Sequence, residues 1–274
     1  MVKQLTIFVA AILLLAQAAT GQSYIDKDST AQHPKFYVTS GIYFPNIITT
    51  LRLDSDVGLG TVIGLEDDFK LDSELSVFKI DGMMKVKKRS QFVLGFTSLV
   101  RSREFKIDEE VIFLEDTFKV NANANVNFDT YYYAFTWRYS FFHGPKFNAG
   151  LSLGARWVQF SAGLEASLND ESWSEKATFG APALLFGAHA SGYLSPRLLA
   201  RYSIEYFQVS IAGFTAIVLE NRATLEYFIH KNVGIGGAYS TNAYSVRDLE
   251  ISSNVKGRVN FAFGGFNLFL TARF

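Results

Sequence analysis

From Phe36 to the C-terminus, apolar and polar residues alternate almost one for one, and no segment there holds an apolar run long enough for a membrane-crossing helix. Such a helix needs about 20 consecutive apolar residues. Alternation with period two sends successive side chains to opposite faces of a strand. Within 91–105, Phe92, Leu94, Phe96 and Val100 share one face and Gly95, Thr97, Arg101 and Arg103 the other. Within 147–168, Ala149, Leu151, Leu153, Ala155 and Trp157 oppose Gly150, Ser152, Gly154 and Arg156. Within 197–212, Tyr202, Ile204 and Tyr206 oppose Arg201, Ser203 and Glu205. Within 215–229, Ala223, Leu225, Tyr227 and Ile229 oppose Glu220, Arg222, Thr224 and Glu226. The chain is therefore all-β, with one face of most strands greasy and the other charged.

A soluble sandwich also alternates, so the connections and composition have to decide. Short polar turns fall near Lys87–Ser90, His143–Lys146, Leu194–Arg197 and His230–Asn232. Longer polar segments fall at 45–74, 106–117, 168–177 and 246–256, with a tight connection near Gly213–Phe214 as the exception. Short turns at one end and long loops at the other are the pattern of transmembrane barrels. The 26 Phe and 13 Tyr suit strands and interfacial girdles. An open sheet cannot sit in lipid because its edges would go unbonded, so a membrane-embedded form must close on itself. The expectation is a transmembrane antiparallel up-and-down barrel of about ten strands: 36–53, 74–86, 91–105, 117–142, 147–168, 178–193, 197–212, 215–229, 233–246 and 256–273. A hairpin within 46–72 would raise the count to twelve.

The N-terminus carries Lys3, an apolar run from Leu5 to Leu15, and small residues after it. This predicts a signal peptide over 1–21, cut after Gly21 or after Ala18. Residues 22–35 then form a polar periplasmic tail, and 36–274 the barrel. The last strand places Phe266, Leu268, Leu270, Ala272 and Phe274 on one face. This ending resembles the C-terminal sorting signal of Gram-negative outer-membrane barrels. The resemblance implies an outer-membrane location, recognition of that strand by the barrel-assembly machinery, and contact with outer-membrane lipid and lipopolysaccharide. The stretches 53–56 and 65–71, rich in Asp and Glu, look like a segment of uncharacterised outer-membrane barrels, which implies a fold and no activity.

Two places suggest a change of facing. In 117–142, Asn121, Asn123, Asn125, Asn127 and Asp129 have the same parity as Tyr131, Tyr133, Phe135, Trp137, Tyr139 and Phe141. A bulge near Asp129–Tyr131 would turn the Asn ladder and the aromatics to different sides. Gly264–Gly265 suggests a similar change between Phe261 and Phe263 below it in sequence and Phe266 and Leu268 above.

If the greasy faces meet lipid, the charges point inward. The expected lumen network is Lys79, Asp81, Lys85, Arg101, Arg103, Arg156, Arg201, Glu205, Glu220, Arg222 and Glu226. In so narrow a barrel these should pair across the interior and largely block it. Net charge is zero, which gives no surplus to attract nucleic acid. There are no Cys residues, which excludes thiolate chemistry, Cys-held metals and disulfides. No motif implies a cofactor or a metal, and the acidic residues Asp54, Asp56, Glu66, Asp67, Asp68 and Asp72 read as a solvated loop without calcium-site spacing. His189-Ala190-Ser191, with Glu205 on the next strand, is the one candidate catalytic set. Its HxS spacing resembles that of the lipid A deacylase barrels, which implies a lipid hydrolase with His189, Ser191 and Glu205 as catalytic residues. The leading expectation is instead a non-enzymatic protein, structural or a narrow passage for a small solute. A surface-binding role through the outer loops is the third.

Overall fold

The computed structural model describes residues 34–55, 62–67, 71–106, 111–113, 116–118, 123–168, 171–211, 214–252 and 255–274. The expected signal peptide and nearly all of the tail lie outside these. The described strands are β1 (Phe36–Ser55), β2 (Val62–Gly64), β3 (Val77–Lys87), β4 (Ser90–Leu99), β5 (Ser102–Lys106), β6 (Val111–Phe113) and β7 (Asp116–Phe118). They continue with β8 (Asn123–His143), β9 (Phe147–Leu168), β10 (Glu171–Ser195), β11 (Leu198–Ile211), β12 (Phe214–His230), β13 (Val233–Ser252) and β14 (Val255–Arg273). No helix occurs among the described residues.

Ten of these strands close a ring in the order β1-β3-β4-β8-β9-β10-β11-β12-β13-β14, and β14 returns to β1. All pairings are antiparallel. The closing pair runs without a register shift from Tyr37 opposite Arg273 to Ser55 opposite Val255. β5 carries β4 onward against β8, and β6 and β7 form a separate small hairpin. Among the described residues, the hairpin that would have raised the count to twelve appears as β2, three residues paired to the upper part of β1. The connection expected to be tight near Gly213–Phe214 places Ile211 directly opposite Phe214. Two connections expected to be long loops differ from the sequence reading. β10 begins at Glu171 and β13 runs on to Ser252, so these ends are extended hairpins. Polar content had marked them as loops, but a paired backbone satisfies its own bonds in water as well as in lipid.

The outside of the ring is greasy. Leu94, Phe135, Leu151, Ile204, Leu225 and Leu268 all stand exposed, whereas their sequence neighbours face in. Phe96, Tyr133 and Trp157 occupy paired positions on three adjacent strands and form one aromatic row. Phe141, Phe142, Phe147, Phe36 and Phe274 form another at the end with the short turns. Tyr133 and Phe141 lie eight residues apart on β8, or about 26 Å along the strand and ~20 Å in height at the ~35–45° tilt of such strands, which falls within the ~25 Å apolar band of such barrels. Leu268 is 62% exposed between the two rows. Leu268→Arg should lower the unfolding free energy in phospholipid vesicles by ~2–4 kcal/mol. A loss below ~0.5 kcal/mol, typical of an ordinary wet surface, would mean that this face does not meet hydrocarbon.

Neither expected change of facing occurs. β8 keeps one register with β9 from Asn123 through Ser140, and its shift lies later, between Ser140 and Phe142. Thr130, Tyr132 and Thr136 are buried inside while Tyr133, Phe135 and Trp137 are exposed outside. Asn125 and Asn127 therefore share the outer face of the aromatics and differ only in height, and Asn121 lies outside the described residues. β8, β9 and β10 contain 21, 22 and 25 residues, against the 9–11 that cross a bilayer. The outer face turns polar where the strand leaves lipid for water. β14 is likewise continuous through Gly264 and Gly265. Phe261 and Phe263 stay inside because the interior itself has an apolar layer.

Candidate functional site: the filled lumen

Pairing geometry stacks the interior in three levels. At the end remote from the short turns, a cluster includes Tyr43, Ile47, Leu99, Phe128, Tyr132, Phe160, Phe261 and Phe263. Two residues of the first long connection, Leu65 and Leu71, are buried in the same cluster. The aromatic rings meet edge to face, with Phe160 and Phe261 centroids 5.2 Å apart and Tyr132 and Phe263 5.9 Å apart. This connection is held by Glu66. Its carboxylate is paired with Arg101, and its Oε2 accepts the Thr49 backbone N–H at 2.7 Å. Arg101 also donates from Nη2 to Thr49 Oγ1 at 3.2 Å. The described part of the first long connection thus turns inward at Leu65, Glu66 and Leu71 as a plug. The acidic-loop reading missed this for Glu66, whose only clue was the apolar pair Leu65 and Leu71 around it.

The middle level is ionic. Arg156, 6% exposed, is paired with Glu205 and lies 2.9 Å from Glu220. Its Nη1 also donates to Thr136 Oγ1 at 3.0 Å. Tyr132 and Tyr244 each donate a hydroxyl to Glu220 Oε1 at 2.7 Å. Arg222 donates to Asp81 Oδ2 at 2.6 Å, joining β12 to β3 across the lumen. Lys79 is buried with its Nζ 4.9 Å from the Tyr43 ring centroid. A buried guanidinium between two carboxylates, with hydroxyls on Glu220, is a geometry in which burial of charge can be offset, although Glu205 Oε1 is left without a partner.

The lowest level faces the short turns. Arg201 donates to Glu226 Oε2 at 3.1 Å and lies over the Tyr37 ring, 4.1 Å from its centroid. Tyr37, Leu199 and Phe228 pack beside it. Arg273 donates to Tyr193 Oη and to the Lys231 carbonyl, both at 2.7 Å, and lies over the Phe228 ring. Beside these groups is a cavity of about 150 Å³.

The expected lumen residues thus fall at different heights. Asp81, Arg156, Glu205, Glu220 and Arg222 meet in one linked layer, with Lys79 beside it. Arg201 and Glu226 form a separate pair below. Lys85 lines the lower cavity. Arg101 joins the plug. Arg103 departs from expectation: it keeps inward parity but lies beyond the mouth, 51% exposed and 4.0 Å from Asp72, itself 59% exposed. Arg138, Tyr132 and Tyr244 were missed because each is flanked by residues of the opposite facing that carried the more obvious pattern.

The terminal strand turns Phe266, Leu268, Leu270 and Phe274 outward, while Ala272 is buried. Its ladder partners are Val38 on β1 and Val233 on β13. The candidate catalytic residues are not joined. His189 Nε2 is 3.3 Å from Ser140 Oγ, Ser191 lies opposite Arg201 in the β10–β11 ladder, and Glu205 is taken by Arg156. No group of His, Asp and Glu among the described residues has the geometry of a metal site.

No family model and no curated protein sequence matches the chain. Solved structures do. The outer-membrane protease OmpT of Escherichia coli superposes with TM-score 0.53 at 9% identity, covering 89% of this chain and 100% of that one. The translocator domain of the autotransporter NalP from Neisseria meningitidis gives TM-score 0.41 at 10% identity, covering 99% and 96%. OprG of Pseudomonas aeruginosa gives 0.37 at 10%, covering 89% and 98%. At such identities the match to OmpT speaks for the fold, which is that of a bacterial outer-membrane β-barrel.

Proposed function

We propose that this protein is a non-enzymatic barrel of the Gram-negative outer membrane. It serves as a sealed membrane anchor that raises the β8–β10 wall above the outer surface as a binding face. The supporting observation is the crowded interior: an aromatic plug and an ionic layer lie one above the other, and the space left among Arg156, Glu205 and Glu220 is about 80 Å³. An N-terminal signal peptide, assembly through the strand ending at Phe274, and contact with lipopolysaccharide belong to the same reading. The hydrolase alternative has less support, since the hydrogen bonds of His189 and Glu205 run to Ser140 and Arg156. The test is reconstitution of the purified protein in a planar bilayer. The expected trace is flat, without unitary steps. Stable, reproducible steps would overturn the sealed reading in favour of a passage for small solutes.

A further inference from the structure

We propose that the lower cavity is an oxyanion site, open toward the short-turn end, that takes phosphate or a phosphate monoester. Its lining is strongly cationic. Among the described residues, Asp81 and Glu226 are the carboxylates that line it, and each is already committed, to Arg222 and Arg201. Lys85 and Arg138 line the same space with no carboxylate partner among the described residues. Glu205, whose field reaches Arg138, is held by Arg156. Positive charge therefore exceeds negative in an enclosed region where water screens weakly.

Hydrogen bonding points the same way. Arg138 Nε and His189 Nδ1, on two residues of the lining, are buried polar atoms without a partner in the protein, and Ser152 Oγ, outside the lining, is a third. They sit together in the ladder. Arg138 is opposite Ser152, and one step lower Ser140 is opposite Gly150, which is opposite His189. Ser152 and His189 are each only 6% exposed. Buried polar atoms left unbonded cost ~1–3 kcal/mol each, so the two on lining residues call for a ligand or ordered water. The volume of about 150 Å³ is several times the ~10–15 Å³ that admits one water. A tetrahedral oxyanion supplies several acceptors at once and matches the guanidinium fork of Arg138. The site goes beyond the sealed-anchor reading and stands whether or not the barrel conducts.

Calorimetric titration of the full-length protein in a zwitterionic detergent tests this, with inorganic phosphate and glycerol 3-phosphate as probes and chloride as background. Saturable phosphate binding is expected, weakened by at least about tenfold, or ~1.4 kcal/mol, in Arg138→Gln. Arg103→Gln at the opposite mouth should bind as the parent does. Binding of inorganic phosphate alone would indicate a free anion as ligand; tighter binding of glycerol 3-phosphate would indicate a headgroup or other ester. Lys85→Gln, at a half-buried position, serves as the second variant should Arg138→Gln not fold, and should also weaken binding. Heats indistinguishable from chloride, or unchanged affinity in a folded Arg138→Gln or Lys85→Gln, would overturn the proposal.

Discussion

Arg156→Gln should be among the most destabilising single changes in this barrel, lowering the unfolding free energy by ~3–5 kcal/mol. The guanidinium is the counter-charge to both Glu205 and Glu220. Without it, two carboxylates on neighbouring strands face each other at paired ladder positions in a buried layer. Tyr132 and Tyr244 would still donate to Glu220, but neutral hydroxyls do not cancel charge. Guanidinium unfolding in phospholipid vesicles, followed by tryptophan fluorescence, measures the loss. Adding Glu205→Gln and Glu220→Gln to the same chain should restore most of it, because a neutral hydrogen-bonded layer needs no counter-ion. If Arg156→Gln cost less than ~1 kcal/mol, the layer would not be acting as a buried ion cluster.

Gly41→Ala and Gly265→Ala should have a comparable effect for a steric reason. Gly41 lies on β1 and Gly265 on β14, both along the pair that closes the ring. A Cβ at Gly41 would overlap the Leu268 carbonyl oxygen, and one at Gly265 would overlap the Phe44 carbonyl oxygen. The obstructing atoms are backbone and cannot swing aside, so each added methyl has to push β1 away from β14. We expect a cost at or above the upper end of the ~1–3 kcal/mol typical of overpacked interiors. The compact band of the unheated protein on a detergent gel should fall in proportion. Gly82→Ala is the control, since a Cβ there meets no atom within 4 Å. Equal folding of all three variants would show that the seam can give.

The sequence made the architecture legible because lipid imposes a penalty on every misplaced charge along most strands. Arg156, Arg222 and Glu226 could be placed inside before any coordinates, and strand 147–168 matched β9 at both ends. What alternation could not separate was a polar face that looks into a lumen from a polar face that stands in water. Asn125 and Asn127 have the outward parity of Tyr133, but they lie above the apolar band. Phe261 and Phe263 pose the converse problem: they are apolar yet internal, because the upper lumen is itself a hydrophobic core. The plug was hidden for a similar reason. Leu65 and Leu71 lie among so many carboxylates that the segment read as solvated, and strand register brings Arg101 and the Thr49 backbone N–H to Glu66. The candidate His189-Ser191 pair has the right parity but the wrong neighbours, since strand register set Arg201 opposite Ser191 and Ser140 beside His189.

Because β8 and β9 hold one register from the wet upper wall down past Arg156, membrane stave and projecting wall are a single mechanical member. A tug on the upper wall along the strand direction would load the ladder hydrogen bonds in shear, so that many must yield together instead of peeling one at a time. Such a member would carry force applied at the upper wall straight to the level of Arg156, without a hinge to absorb it.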